Sequence, residues 1–145
     1  MKSLNFLNNG FVFSRSNIFR WSEFVLPSNL QVASYVKILL EPIASSKSID
    51  RIELGLHEAI INAVIHGNSG DYSKLIRIRR ITTPKWFVLQ IQDEGKGINK
   101  NERISTLPRH IEAEGGRGLF IIHQCFDDVR WSRKGNRLQI ALKRK

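Results

Sequence analysis

The chain has 145 residues, enough for one domain with a real core and too few for two ordinary ones. Its 41% hydrophobic and 25% charged residues, with no internal repeat or low-complexity segment, are those of an ordinary globular protein. The single cysteine, Cys125, excludes an internal disulfide or a thiolate metal cluster, and no apolar run approaches the roughly 18 residues of a membrane span. A cytoplasmic location is therefore expected, and the net charge of +10 raises the expectation of an acidic partner surface. The same Lys and Arg residues also suit solvated strand faces and edges.

The N-terminal stretch "MKSLNFLNNGFVFSRSNIFRW" is broken by Asn, Gly, Ser and Arg and lacks the apolar centre of a signal peptide. Residues 1–17 read as a leader, with an edge strand as the alternative, before a single domain over 18–145. "IFRWSEFVL", residues 18–26, alternates as a strand and stops at Pro27. Ser28 or Asn29 can cap a helix whose packing residues would be Leu30, Ala33, Val36, Ile38 and Leu39. After the break "SSKSID", a long helix is predicted from about Ser48 to His66, with Gly67 as its C-cap. "KLIRIRRIT" and "KWFVLQIQ" flank a "TP" turn and form a hairpin. "DEGKGINKNERISTLPRHIEAEGG" is long and polar, as a functional lid or a disordered segment is. "RGLFIIHQCF" is a short apolar helix, and "DDVRWS" and "NRLQIALKR" are closing strands joined at "RKGN". Hairpins with grouped helices predict an α+β fold. The expected form is a two-layer α/β sandwich with a mixed, mostly antiparallel sheet and helices on one face.

Within the long helix, Glu58, Asn62 and His66 fall inside a sector of about 80°, shared with Gly55 and Arg51. Ile49, Ile52, Leu56, Ile60, Ala63 and Val64 face the other way, and Leu54, Ile61 and Ile65 form a third side. A narrow polar strip on so apolar a helix is expected to line a cavity. Gly55 supports this, because glycine costs an exposed helix about 1 kcal/mol. Zinc of the metalloprotease type is excluded, since the second histidine would fall at residue 61, which is Ile. Magnesium fits better, because it takes oxygen ligands and completes its shell with water and phosphate. His66 alone reads more readily as a helix-end histidine than as a catalyst.

Two glycine segments follow. "QIQDEGKGI" sets Asp93 at a strand end before Gly95 and Gly97, which is also what a plain turn would look like. "EGGRGLFII" places Gly115, Gly116 and Gly118 at a helix start, where free N–H groups favour phosphate. The P-loop, the dinucleotide glycine fingerprint and the eukaryotic-type kinase motifs are absent.

In this order, the Glu/Asn helix, "DEGKGI", a polar loop and "GGRGLFII" resemble the GHKL-type ATPase superfamily of gyrase-type and histidine-kinase ATP-binding domains. "HEAIINAVIHG" and "GGRGLFIIHQCFDDVRW" look most like the bacterial anti-sigma factor serine kinases of sporulation and general-stress switches. The resemblance covers roughly residues 18–143. It implies a serine kinase that uses ATP and Mg2+, phosphorylates an anti-anti-sigma-type partner and holds a sigma factor. It also implies a homodimer. Asn62 would ligate Mg2+, Glu58 would be the catalytic base, and Asp93 would accept a hydrogen bond from the adenine amino group. Gly95 and Gly97 would admit the base and the lid. Gly116, Arg117, Gly118 and Leu119 would form the phosphate segment, and "NKNERISTLPRHIEAE" the ATP lid. An ATP-dependent binding module without transfer, or with a non-sigma partner, is the alternative. Nucleic acid and membrane are not expected as partners, because neither a helix-turn-helix pattern nor an apolar span is present.

Overall fold

The computed structural model describes residues 5–14, 17–31, 33–103 and 117–145. Strands β1 (Asn5–Ser14) and β2 (Asn17–Pro27) lead into helices α1 (Ala33–Leu39) and α2 (Ile49–Asn62). Strands β3 (Leu75–Thr82) and β4 (Trp86–Gln92) follow, then α3 (Arg117–Cys125), β5 (Asp128–Trp131) and β6 (Arg137–Lys143). The strands form one six-stranded sheet in the order β1-β2-β3-β4-β6-β5. Every neighbouring pair is antiparallel, so the expected mixed sheet is corrected to an antiparallel one among the described residues. Three hairpins, β1–β2, β3–β4 and β5–β6, lie side by side, with β2 against β3 and β4 against β6. Residues 5–14 of the expected leader form the edge strand β1.

The core follows from two periodicities. Phe24 and Leu26, Ile76 and Ile78, Phe87, Leu89 and Ile91, and Leu138 and Ile140 alternate along four strands and point to one face. Against them α2 sets Ile52, Leu56, Ala59 and Ile60 at helical spacing. Leu54 and Ile65, on the third side of that helix, stay exposed.

The helix expected from Ser28 begins later, at Ala33. Ser28 is fully buried, its N–H donates to the Lys74 carbonyl (3.2 Å), and its hydroxyl accepts from Asn68 (3.1 Å). Tertiary contacts thus hold the would-be cap at the strand end. Asn29 instead accepts from the Gln31 N–H in a local turn. Of the expected packing residues, Val36 and Leu39 are buried, whereas Leu30 and Ile38 are exposed.

Gly55 does not share the polar strip's surroundings. It is buried where α3 crosses α2, and a Cβ there would lie 2.5 Å from Cys125 Cβ and 2.7 Å from the Phe126 ring. Its role is to let two helices approach. Replacing Gly55→Val should therefore destabilise the fold by about 1–3 kcal/mol through overpacking. Urea denaturation followed by circular dichroism checks this, and an unchanged midpoint would remove the close crossing as a constraint.

Candidate functional site

The site is built around the end of α2. Past Asn62 the helix widens into a π turn over Ala63–Gly67. The Asn68 N–H closes it by donating to the Ala63 carbonyl at 2.8 Å. The Asn68 side chain is fully buried. Its amide donates to the Ser28 hydroxyl and to the Leu75 carbonyl, both at 3.1 Å, and its oxygen accepts from the Glu94 N–H at 2.8 Å. Both amide hydrogens and the carbonyl oxygen are thereby used, as burial requires. The Glu94 carboxylate in turn accepts from the Leu75 N–H. One asparagine thus joins the helix end, two strands and the first glycine segment.

That junction brings Gly67, Asp93 and Gly95 together. A side chain at Gly67 would overlap the Asp93 carboxylate, and one at Gly95 would overlap the Gly67 carbonyl. Asp93 Oδ1 accepts from the Gly95 N–H at 2.8 Å, while the Asp93 N–H donates to the Asn136 carbonyl at 3.0 Å. Burial holds the Asp93 carboxyl above the ordinary carboxylate value of 3.8. The Gly95 N–H and the nearby Lys134 and Lys74 pull the other way without overcoming it.

The β5–β6 turn forms a further wall. Gly97 adopts φ +90° and Gly135 φ +85°, and each faces the other segment so closely that a side chain would strike backbone. The Ile98 N–H donates to the Gly135 carbonyl at 3.1 Å. Arg103 donates to the carbonyls of Ile98 (2.9 Å) and Arg133 (3.3 Å). The segment Ile98–Arg103 is thereby fastened to a turn that is remote in sequence.

Between these walls lies a cleft of about 1070 Å³. It brings Asn62, His66, Asp93, Gly95, Gly97 and Leu119 to one surface. Glu58 does not line the cleft itself. A Cβ at Gly118 would nevertheless lie 3.2 Å from Glu58 Oε2, 3.2 Å from Asn62 Nδ2 and 3.3 Å from Asn62 Oδ1. The first turn of α3 is thus laid directly over the Glu58–Asn62 pair, with no side chain between. Arg117 opens that helix and is exposed. Gly116 and most of the expected lid lie outside the described residues.

Four contributors were not singled out in sequence. Trp131, Lys74 and Lys134 line the cleft, and Asn68 organises it from below. "HGNSGD" had been read only as a helix end, and "RKGN" only as a hairpin turn. The Gly-Asn pair in each was the available signal.

The chemistry of the lining is specific. Ile91, Ile98, Leu119, Trp131 and Leu138 give apolar walls, and the half-buried Asp93 carboxylate gives one acceptor, the pattern of a site for a flat, amine-bearing ring. Among the described residues no cluster of three or more His, Cys, Asp and Glu could hold a metal alone. The Asn62 and Glu58 oxygens instead suit a hard cation that takes most of its shell from water and phosphate.

A family model described as the histidine kinase-like ATPase domain matches residues 31–142. The chain belongs to this family. It is similar to an anti-sigma F factor of Clostridium acetobutylicum, 26% identical over 124 residues, covering 77% of this chain and 84% of that protein. It is also similar to the serine-protein kinase RsbW of Oceanobacillus iheyensis, 28% identical over 120 residues, covering 74% and 76%. No helix among the described residues is long and apolar enough to cross a membrane.

The raised Asp93 pKa carries a sign that can be tested. A carboxylate whose folded pKa is raised costs stability once ionised. The cost is complete above the raised value and gone below the unfolded one. Asp93→Asn keeps an oxygen for the Gly95 N–H and carries no charge. The variant should therefore be more stable than the parent at neutral pH. Its advantage should shrink as the pH falls through the raised value toward 3.8. Paired urea denaturation across that range checks it, and a difference independent of pH would remove burial of the charge as the cause.

Proposed function

We propose that the protein is an ATP-dependent serine kinase and anti-sigma factor acting on an anti-anti-sigma-type partner, with a sigma factor as its second partner. The observation that carries this reading is the placement of the Glu58–Asn62 pair beneath the helix start at Gly118, with Asn62 and Asp93 lining one cleft. Membership in the ATPase family and likeness to two regulators bearing these names support it.

The roles follow from donor and acceptor chemistry. The Asp93 carboxylate accepts from the adenine amino group. Guanine presents a carbonyl oxygen at the same position and would be repelled. Leu119, Gly95 and Gly97 shape the wall around the base, and Gly97 lets the lid segment turn away. Backbone N–H groups at the start of α3, Arg117 and Gly118, would bind the phosphates, since the first N–H groups of a helix have no partner within it. Asn62 would hold Mg2+ through its amide oxygen. Mg2+ supplies charge neutralisation on the phosphates. Glu58 would accept the proton of the substrate serine as the serine oxygen bonds to the terminal phosphorus of ATP, the bond from that phosphorus to the bridging oxygen breaks, and ADP leaves. Because phosphoryl transfer rests on positioning and charge stabilisation, this small set of groups is sufficient. A homodimer in the cytoplasm completes the reading.

Glu58→Gln should keep Mg-ATP affinity and lose transfer to a serine-bearing partner by about 100-fold or more. Pull-down with and without ATP recovers the partner, and mass spectrometry for phosphoserine reads the transfer. An unchanged transfer rate would sink the base assignment. ATP-dependent capture without phosphoserine in the parent protein would leave a binding module in place of a kinase. Asp93→Asn should weaken ATP binding about tenfold or more in calorimetry, since its amide can turn a donor toward the adenine donor.

A further inference from the structure

The sheet has a second face, and no described helix packs on it: the core lies entirely on the side of Phe24, Ile78, Leu89 and Ile140. Strand register arranges the outer side chains in three rows. Trp21, Ile81, Val88 and the buried Ala141 make an apolar row across β2, β3, β4 and β6, which ends on β5 at Asp128. Glu23, Arg79, Gln90, Gln139 and Arg130 make a polar row beside it. Val25, Arg77, Gln92 and Arg137 make a third row, basic at two of its four positions.

The charge of this face is one-sided. Arg77 and Arg79 are each about half-exposed (53% and 51%) and share the single Glu23 at 3.8 and 3.9 Å. Arg130 pairs with Asp128 at 2.8 Å, and Arg137 and Lys143 add further positive charge. Five cations thus stand against two carboxylates.

We propose that this face docks an amphipathic helix of a partner protein, apolar along one edge and acidic along the other. Neighbouring strands lie about 4.8 Å apart, so the apolar row spans about 14 Å. Rows two residues apart along a strand are separated by about 7 Å. A helix of about 10 Å diameter laid over the polar row therefore covers the apolar row with one flank and the Arg77–Arg137 row with the other. A helical layer on a bare sheet face is also the ordinary way such a face is covered. Single-stranded nucleic acid fits less well. Arg79 already sits over the Trp21 ring and Lys143 over the Trp86 ring, each 5.8 Å from the centroid, so the protein's own cations stand where bases would stack. A second copy presenting the same face would oppose cation to cation. The surface lies on the side of the sheet away from the nucleotide cleft, so the inference stands apart from the kinase reading.

The probe is a synthetic helical peptide of about twenty residues with leucines on one edge and glutamates on the adjacent edge. A scrambled peptide of the same composition and an oligo-thymidine strand serve as comparisons. Calorimetry should show saturable 1:1 binding of the patterned peptide that weakens as salt rises. Arg77→Glu/Arg137→Glu should reduce that affinity about tenfold or more while leaving ATP affinity unchanged. Arg77→Gln/Arg137→Gln, which removes charge without reversing it, is the second arm should the first variant misfold, and it should give a smaller loss in the same direction. The proposal is overturned by absence of saturable peptide binding, by equal binding of the scrambled peptide, by displacement of the peptide by the oligonucleotide, or by full peptide affinity in a folded variant.

Discussion

The cleft depends on one buried amide. Asn68 sits at the point where α2 ends, and its three side-chain hydrogen bonds reach β2's exit, β3's entry and the segment after β4. These partners are far apart in sequence, and Asn68 is bonded to all three. A buried N–H or carbonyl left unpaired costs about 1–3 kcal/mol. An apolar residue at 68 would strand the Glu94 N–H and the Leu75 carbonyl together. The gain is positional, because the Glu94 backbone cannot move without breaking a buried bond. Asp93, one residue earlier, is therefore held against Gly67.

Glycine plays different parts around this junction. Gly67 and Gly95 are small because the helix end and the Asp93 turn occupy the same space. Gly97 and Gly135 are small because two backbones meet with positive φ. Gly118 puts no side chain of its own over Glu58 and Asn62, so the helix start lies open beside the oxygen pair. Gly55 belongs to none of these. It permits the α2–α3 crossing, and that crossing is what carries α3 to its place above Asn62. The glycine that looked like part of the polar strip thus acts one step removed, by fixing the height of the helix that covers the strip.

What was legible in the sequence was local. The helix bearing Glu58 and Asn62, the strand ending at Asp93 and the helix opening at Gly118 each announce themselves through periodicity or a short motif. The motif order then joined them into one ATPase-like arrangement. What was not legible depends on residues brought from far away. Ser28 has the chemistry of a helix cap, yet Asn68 and Lys74 hold it as a strand end, so α1 starts at Ala33. The "RKGN" turn reads as a plain hairpin until Gly97 is packed against Lys134. Lys74 and Lys134 had no pattern in common, and only the fold sets both beside Asp93.

The same distinction explains why the net charge was hard to interpret. In sequence, "LIRIRRIT" is a single run of basic residues, but the strand sends them to opposite sides. Arg80 turns inward, over the Phe24 ring, and donates to the last carbonyls of α1 at Ile38 and Leu39, a role within the fold. Arg77 and Arg79 turn outward and share one carboxylate. Part of the basic composition thus goes to structural cations such as Arg80 and Arg103, part to lysines around the Asp93 cleft, and part to an outward field on the uncovered sheet. In the last of these, two guanidinium groups divide a single Glu23 charge. The excess of cation over carboxylate at Arg77 and Arg79 is thus set by strand register, which turns both outward beside the one Glu23.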